Sequence, residues 1–224
     1  MKPQRSPLGS RIDVDGQDGY VLSYFDLRRA VGYFGLALPI AVFVVGIALP
    51  PHAFLGSISA YYYVPFAGDI FGGLLWTIGV FLWFYDYERA DNVLTSAAGT
   101  FAIGVALFPT TKQDLPRTLF SSATIHQVCA GLFFAILAIL SLFYFTRGDT
   151  TDRPRKKTRN RIFIVSGLVI VLALLVAGLG PFILGRDTYT RLHVLFFCET
   201  VAIWAFGISW LVKGQRLFAD LPAT

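Results

Sequence analysis

Six long blocks of apolar residues run through this chain, and they constrain its fold more than any other feature. The blocks span approximately 31–49, 69–85, 93–109, 120–145, 162–180 and 190–212. A helix of about 20 residues crosses the roughly 30 Å of hydrocarbon in a bilayer, and shorter or tilted helices are also accommodated. The sequence therefore predicts an all-α integral membrane protein, built as a bundle of six transmembrane helices.

Composition supports this class and argues against others. Of the 224 residues, 55% are hydrophobic and 15% are charged, whereas a soluble domain has about 25% charged residues. Cys129 and Cys198 both lie in apolar blocks, which is typical of free thiols rather than of a disulfide. The net charge is +5, but the basic residues are concentrated in loops on one side, so we expect no nucleic-acid partner. The polar N-terminus lacks an apolar core, so we expect no cleavable signal peptide.

The lysines and arginines orient the bundle. If the N-terminus is cytoplasmic, 15 of these 19 residues lie inside, and the remaining four, Lys112, Arg117, Arg186 and Arg191, lie outside. Positively charged loops stay in the cytoplasm, so both termini are predicted to be cytoplasmic. The domains are then a cytoplasmic segment 1–30 with an amphipathic juxtamembrane part, a transmembrane domain 31–212 and a tail 213–224. This topology favours a bacterial inner (plasma) membrane.

The densest cluster of positive charge is RPRKKTRNR at 153–161, between the fourth and fifth blocks. Such a run is typical of a topology signal in a solvated juxtamembrane loop, since basic loops fix orientation by themselves. A site for an anionic lipid or a regulatory partner is the alternative.

Three ionisable residues fall at one predicted depth. Asp69, His126 and His193 lie within roughly 10 Å of the same outer boundary, at about 1.5 Å of helical rise per residue. Two histidines and a carboxylate suit catalytic Zn²⁺, whose bound water would become a nucleophile. The ordinary alternative is a pair of hydrogen-bonded interfacial histidines and an aspartate that caps its helix.

Glu199 is a carboxylate in the middle of the sixth block, near Phe196, Phe197 and Trp204. A charge at this depth is costly and needs a reason. A structural hydrogen bond between helices is the favoured role. A proton relay, or a general base beside the metal site, is the alternative.

The first outer loop, 50–68, contains no Lys or Arg and is rich in aromatic and hydroxyl side chains. Tyrosine rings favour the headgroup level, so we expect the loop to form an aromatic belt. A lid or lipid-contact platform over an outer cavity is the alternative. The predicted binding pocket comprises Ser57, Tyr61, Tyr62, Tyr63, Asp69, His126, His193 and Glu199.

Small residues recur at four-residue spacing in two blocks. Gly68 and Gly72 form one such pair, and Ala98, Ala102 and Ala106 form a second series. This spacing lets helices approach closely, so both sets are predicted to lie at helix contacts.

The segments SISAYYYVPFAGDIFGGLLW and FFCETVAIWAFGISW resemble a bacterial member of the Frag1/DRAM/Sfk1-like group. That resemblance implies six spans, a motif-bearing first outer loop, a carboxylate in the last span at Glu199, and a link to lipid. The chain is also similar, more faintly, to alkaline ceramidases and progestin/adiponectin receptors, on Ser59, Asp69, His126 and His193. This second likeness implies zinc beside a serine and an aspartate, although the chain lacks the HxxxH of that superfamily.

Three functions are compatible with these features. The first is a non-catalytic protein that binds membrane lipid or a partner helix through the outer pocket, and we rank it highest. The second is a zinc-dependent lipid hydrolase in which Asp69, His126 and His193 bind the metal and Ser59 and Glu199 are the candidate catalytic residues. The third is a small transporter or channel that uses Glu199.

Overall fold

The computed structural model describes residues 10–14, 17–21, 24–50, 52–85, 89–110, 121–147, 155–214 and 217–218. Its helices are α1 Tyr24–Ala48, α2 Ala67–Trp83, α3 Arg89–Leu107, α4 Ser122–Ile139, α5 Lys156–Ile183, α6 Arg186–Arg191 and α7 Val194–Lys213. A 3₁₀ turn, Ser59–Tyr63, lies between α1 and α2, and a π-helical turn, Leu140–Tyr144, extends α4. A short antiparallel ribbon, Ser10–Val14 with Gln17–Val21, precedes α1.

Four helical segments are long and apolar enough to cross a membrane: Asp26–Ala48, Ser122–Tyr144, Lys156–Ile183 and Val194–Lys213. The prediction of a helical membrane protein is confirmed at this level. The other two apolar helices, Ala67–Trp83 and the Asn92–Leu107 part of α3, are shorter. On α5, apolar side chains such as Leu172 and Phe182 are exposed, which suits contact with lipid rather than with water.

The first helix begins earlier than the apolar block that predicted it. α1 runs without interruption from Tyr24, through Pro39, to Ala48, so the end of the predicted juxtamembrane part is continuous with this helix. Asp26 lies in the first turn, where a negative charge is favourable. Arg29 donates a 3.0 Å hydrogen bond to it from one turn further on. This charged turn continues the apolar helix without a break.

The six longer helices form a closed ring. Each packs against its neighbours in chain order, and α7 closes the ring by packing against both α5 and α1. Glycines allow the closest approaches: a Cβ on Gly32 would lie 2.9 Å from the carbonyl oxygen of Gly207, and a Cβ on Gly99 would lie 2.5 Å from that of Gly79. Ala98 and Ala102 are fully buried, which confirms the packing prediction for that series.

Two side chains of the basic run 153–161 are buried and form hydrogen bonds with backbone carbonyls. Lys156 and Arg159 are buried; the Lys156 Nζ donates to the carbonyl of Arg147, and the Arg159 Nη1 donates to that of Phe218 at 3.0 Å. Lys157 and Arg161 are exposed, while 153 and 154 lie outside the described residues. Binding of an anionic lipid or partner by the exposed members stays a prediction.

Candidate functional site

The carboxylate of Glu199 holds the loop between α1 and α2 against α7. Its Oε2 accepts hydrogen bonds from the Ile58 N–H at 2.5 Å and the Ser59 N–H at 3.4 Å, and its Oε1 accepts one from the Ser59 hydroxyl at 3.3 Å. These donors stand at the start of the 3₁₀ turn, where backbone N–H groups have no partner within the turn. The contacts give Glu199 a structural role, although toward a loop rather than toward another helix.

Further hydrogen bonds hold the loop between α1 and α2 in place. The Ser57 Oγ accepts from the Ala60 N–H at 3.1 Å and lies 3.2 Å from the Ser59 Oγ. The Phe196 N–H at the start of α7 donates to the Gly56 carbonyl at 3.0 Å. Because the Ser59 proton points to Glu199, the Ser57 hydroxyl is the donor between the two serines. Both hydroxyls therefore act in holding the loop.

The three tyrosines of the loop have different environments. Tyr61 is fully buried, its hydroxyl accepts the Leu55 N–H at 3.2 Å, and burial raises the pKa of that hydroxyl above its usual range. Its ring lies so close to α1 that a Cβ on Gly46 would be 2.1 Å from it. Tyr62 is half-buried and Tyr63 is exposed. Tyr61 is thus a core residue rather than part of a lipid-contact platform.

An internal cavity of about 40 Å³ lies within the ring, beneath this loop. Ser59, His126 and Glu199 contribute its polar wall, and the rest of its lining is apolar. A buried water needs about 10–15 Å³, so the cavity has room for a few water molecules and not for an acyl chain.

His126 connects the start of α4 to the end of α3. The side chain is 3% exposed, and its Nδ1 lies 2.7 Å from the Phe108 carbonyl oxygen. Since a carbonyl only accepts, the Nδ1 carries the proton. The ring also stacks on Phe71, with centroids 6.4 Å apart.

The three predicted zinc ligands do not come together. Asp69 is exposed in the first turn of α2, and His126 is buried at the cavity. His193 precedes α7 and packs on Phe54, with ring centroids 4.5 Å apart. Within the described ranges, no three His, Cys, Asp or Glu side chains are placed to share a metal. The zinc prediction is therefore not supported, because equal depth along helices does not make side chains face one another.

Asp69 instead lies with Tyr62 and Tyr63, two other members of the predicted pocket, in a surface groove along α2. This surface groove, of about 480 Å³, is open and runs along α2 beside the loop; its lining includes Tyr62, Tyr63, Asp69, Gly73 and Trp76. The sequence carries a signal of the part of this groove that lies along α2. Positions 69, 72, 73 and 76 share one face of a helix, and they carry an acid, two glycines and a tryptophan.

We expect His126→Ala to lower the free energy of unfolding by roughly 2 kcal/mol, because the Phe108 carbonyl loses its buried donor and a void forms. Thermal unfolding of detergent-purified protein measures this. His52→Ala is the control, since the His52 Nδ1 bonds the Ile47 carbonyl at an exposed position, and it should have little effect. One equivalent of zinc in the wild type, lost from His126→Ala, would contradict this structural role and restore the metal site.

The arrangement at this end of the bundle thus consists of an anchored loop, a small internal cavity and an open groove. The hydroxyls of Ser57 and Ser59 and the carboxylate of Glu199 are bonded to one another or to the backbone. Comparisons of the chain with models of protein families, with curated proteins and with solved structures gave no match.

Proposed function

We propose that this chain is a non-catalytic, six-span membrane protein that binds membrane lipid where the loop 52–66 meets α2. The observation that carries the proposal is the open groove of about 480 Å³ along α2. Its lining combines aromatic rings, a carboxylate and glycines that leave space beside the helix backbone. The groove is far larger than the cavity inside the ring.

Six spans are supported by the closed ring. α2 contains 17 residues and is about 25 Å long, at the short end of the range for membrane-spanning helices. α2 packs between α3 and α1, and α1 is long and apolar enough to span, which favours a position of α2 in the membrane beside it. The bias of 15 of 19 Lys and Arg residues favours cytoplasmic termini and a bacterial plasma membrane.

The absence of catalysis is supported by how the candidate residues are engaged. A serine nucleophile needs a base that accepts its proton and is then free to pass it on. Here the Ser59 hydroxyl donates to Glu199, while the same carboxylate holds two backbone N–H groups. Removing Glu199 from these contacts would release the loop. A Frag1/DRAM/Sfk1-like protein with a role in lipid binding fits this arrangement, and a hydrolase or an ion pathway through Glu199 does not.

Lipid retention tests the proposal. Full-length protein in detergent, incubated with a total membrane lipid extract, is expected to keep bound lipid when measured by native mass spectrometry. Gly73→Leu should lower the affinity for lipid about tenfold. The isobutyl group occupies part of the groove, so the lipid can bury less apolar surface there. Nothing lies within 4 Å of a Cβ built on Gly73, so the variant should fold.

Gly131→Leu is the matched control. Gly131 lies in α4 and is equally open to a Cβ, but it is not part of the groove. Equal lipid retention by the two leucine variants and the wild type would contradict the proposal.

A further inference from the structure

Among the described residues that line the groove, Asp69 is the one charged group, and no described cation pairs with it. Asp69 is exposed in the first turn of α2, and its carboxylate forms no hydrogen bond or ion pair with the described residues. Tyr62, Tyr63 and Phe66 line the same groove on the loop side. The electron-rich faces of aromatic rings attract cations. This end of the groove is therefore suited to a positive charge that carries apolar substituents.

The aromatic rings are held in place. Tyr62 and Tyr63 pack edge to face, with centroids 5.3 Å apart and an interplanar angle of 70°. The Tyr63 hydroxyl donates to the Thr110 carbonyl beyond the end of α3. The Tyr62 ring packs edge to face on Phe71 of α2, with centroids 6.3 Å apart. The pair thus contacts α2 on one side and the segment after α3 on the other.

The rest of the groove is a notch along α2. Gly72 and Gly73 follow Asp69 on the same helical face, and nothing lies within 4 Å of a Cβ built on either. Trp76, which is 42% exposed, ends this face about 10 Å from Asp69 along the helix axis. An acyl chain that enters beside Asp69 can therefore lie in the glycine notch and reach the indole.

We propose that the groove recognises the alkylammonium headgroup of a membrane lipid, of the ethanolamine or choline type. The Asp69 carboxylate would pair with the ammonium group, the rings of Tyr62, Tyr63 and Phe66 would contact its methylene or methyl groups, and the acyl chain would lie along Gly72 and Gly73. The inference rests on the proposed lipid-binding function and adds its ligand class. An anionic headgroup is disfavoured, because it would bring its charge to a carboxylate.

Binding of lipids with identical acyl chains tests this inference. The full-length protein in detergent is titrated with dioleoyl phosphatidylethanolamine, phosphatidylcholine or phosphatidylglycerol, and occupancy is followed by native mass spectrometry. We expect the two ammonium lipids to bind about tenfold more tightly than the glycerol lipid, since an ion pair with cation–π contact contributes on the order of 1–2 kcal/mol. Soluble phosphocholine, which has the same ammonium group without acyl chains, should bind far more weakly.

Asp69→Asn should bring the affinity ratio between ammonium and glycerol lipids close to one without loss of thermal stability. Asp187→Asn is the matched control, since Asp187 is also an exposed acid in the first turn of a helix, α6, and it should leave the ratio unchanged. Gly73→Leu should weaken all three lipids together.

The outcomes separate the two proposals. Equal affinity of the wild type for the three lipids, each weakened by Gly73→Leu, would overturn the headgroup inference and leave lipid binding standing. Lipid binding that Gly73→Leu does not change would overturn both. Phosphocholine that binds as tightly as phosphatidylcholine would overturn the assignment of the ligand as a lipid.

Discussion

Glu199→Ala is expected to lower the free energy of unfolding by roughly 3 kcal/mol, because each backbone donor left without its partner in the interior costs about 1–3 kcal/mol. Ile58 is 1% exposed and Ser59 is 7% exposed, and the N–H groups of both donate to this carboxylate. Thermal unfolding in detergent measures the loss, and hydrogen exchange across 55–63 should accelerate.

Glu199→Gln separates the structural role from a role in proton transfer. Glutamine keeps one carbonyl oxygen in nearly the same place, so about half of the lost stability should return, and the loop should exchange more slowly than in the alanine variant. A Glu199→Ala protein with wild-type stability and unchanged exchange across 55–63 would show that the carboxylate does not hold the loop. Loss of an ion flux in that same stable variant would favour the transporter hypothesis.

Gly68→Ala and Gly72→Ala, one turn apart on α2, are expected to change stability in opposite directions. A Cβ at Gly68 would lie 2.2 Å from the Tyr62 carbonyl oxygen. The obstacle is backbone, so it cannot rotate away, and overpacking of this kind costs typically 1–3 kcal/mol. At Gly72 the Cβ meets nothing within 4 Å, and alanine should stabilise the helix by up to about 1 kcal/mol.

The difference between the two alanine variants is the informative quantity. Both change glycine to alanine in the same helix, so the change in intrinsic propensity is common to them. Thermal unfolding under identical detergent conditions should place Gly68→Ala well below the wild type and Gly72→Ala at or above it. Equal midpoints would mean that the loop and α2 do not approach as closely as the Tyr62–Gly68 contact requires.

The helical architecture could be predicted because it depends on properties that a sequence displays directly. Length and apolarity identified the helices, and the alanine series that begins at Ala98 identified a buried helix face. Gly72 has the same spacing to Gly68 as those alanines have to each other, yet it faces an open groove. Spacing shows which residues share a face but not what that face meets.

The candidate site was less predictable, for a related reason. Depth along a helix follows from residue number, so a common depth could be predicted for Asp69, His126 and His193. Rotation about each helix axis depends on how the whole ring packs, and the structure does not bring the three side chains together. Tyr61 and Tyr63 differ by two positions, but the 3₁₀ turn directs one into the core and leaves the other exposed. The partner of Glu199 lies 140 residues away in the chain, beyond the reach of any local pattern.

That separation has a consequence for the order in which the protein is made. The loop beside α1 is synthesised early, but the carboxylate that holds it belongs to the last helix, and the Gly207 that packs on Gly32 belongs to the same helix. The Arg29 Nε likewise donates a hydrogen bond to the carbonyl of Gly214, which is synthesised 185 residues later. Contacts between such distant residues form late, because the intervening chain must be placed first. Until the ribosome has released α7, the ring stays open, and a chain that stops before Glu199 would present an unanchored loop and an uncovered face of α1 to the cell's quality-control proteases.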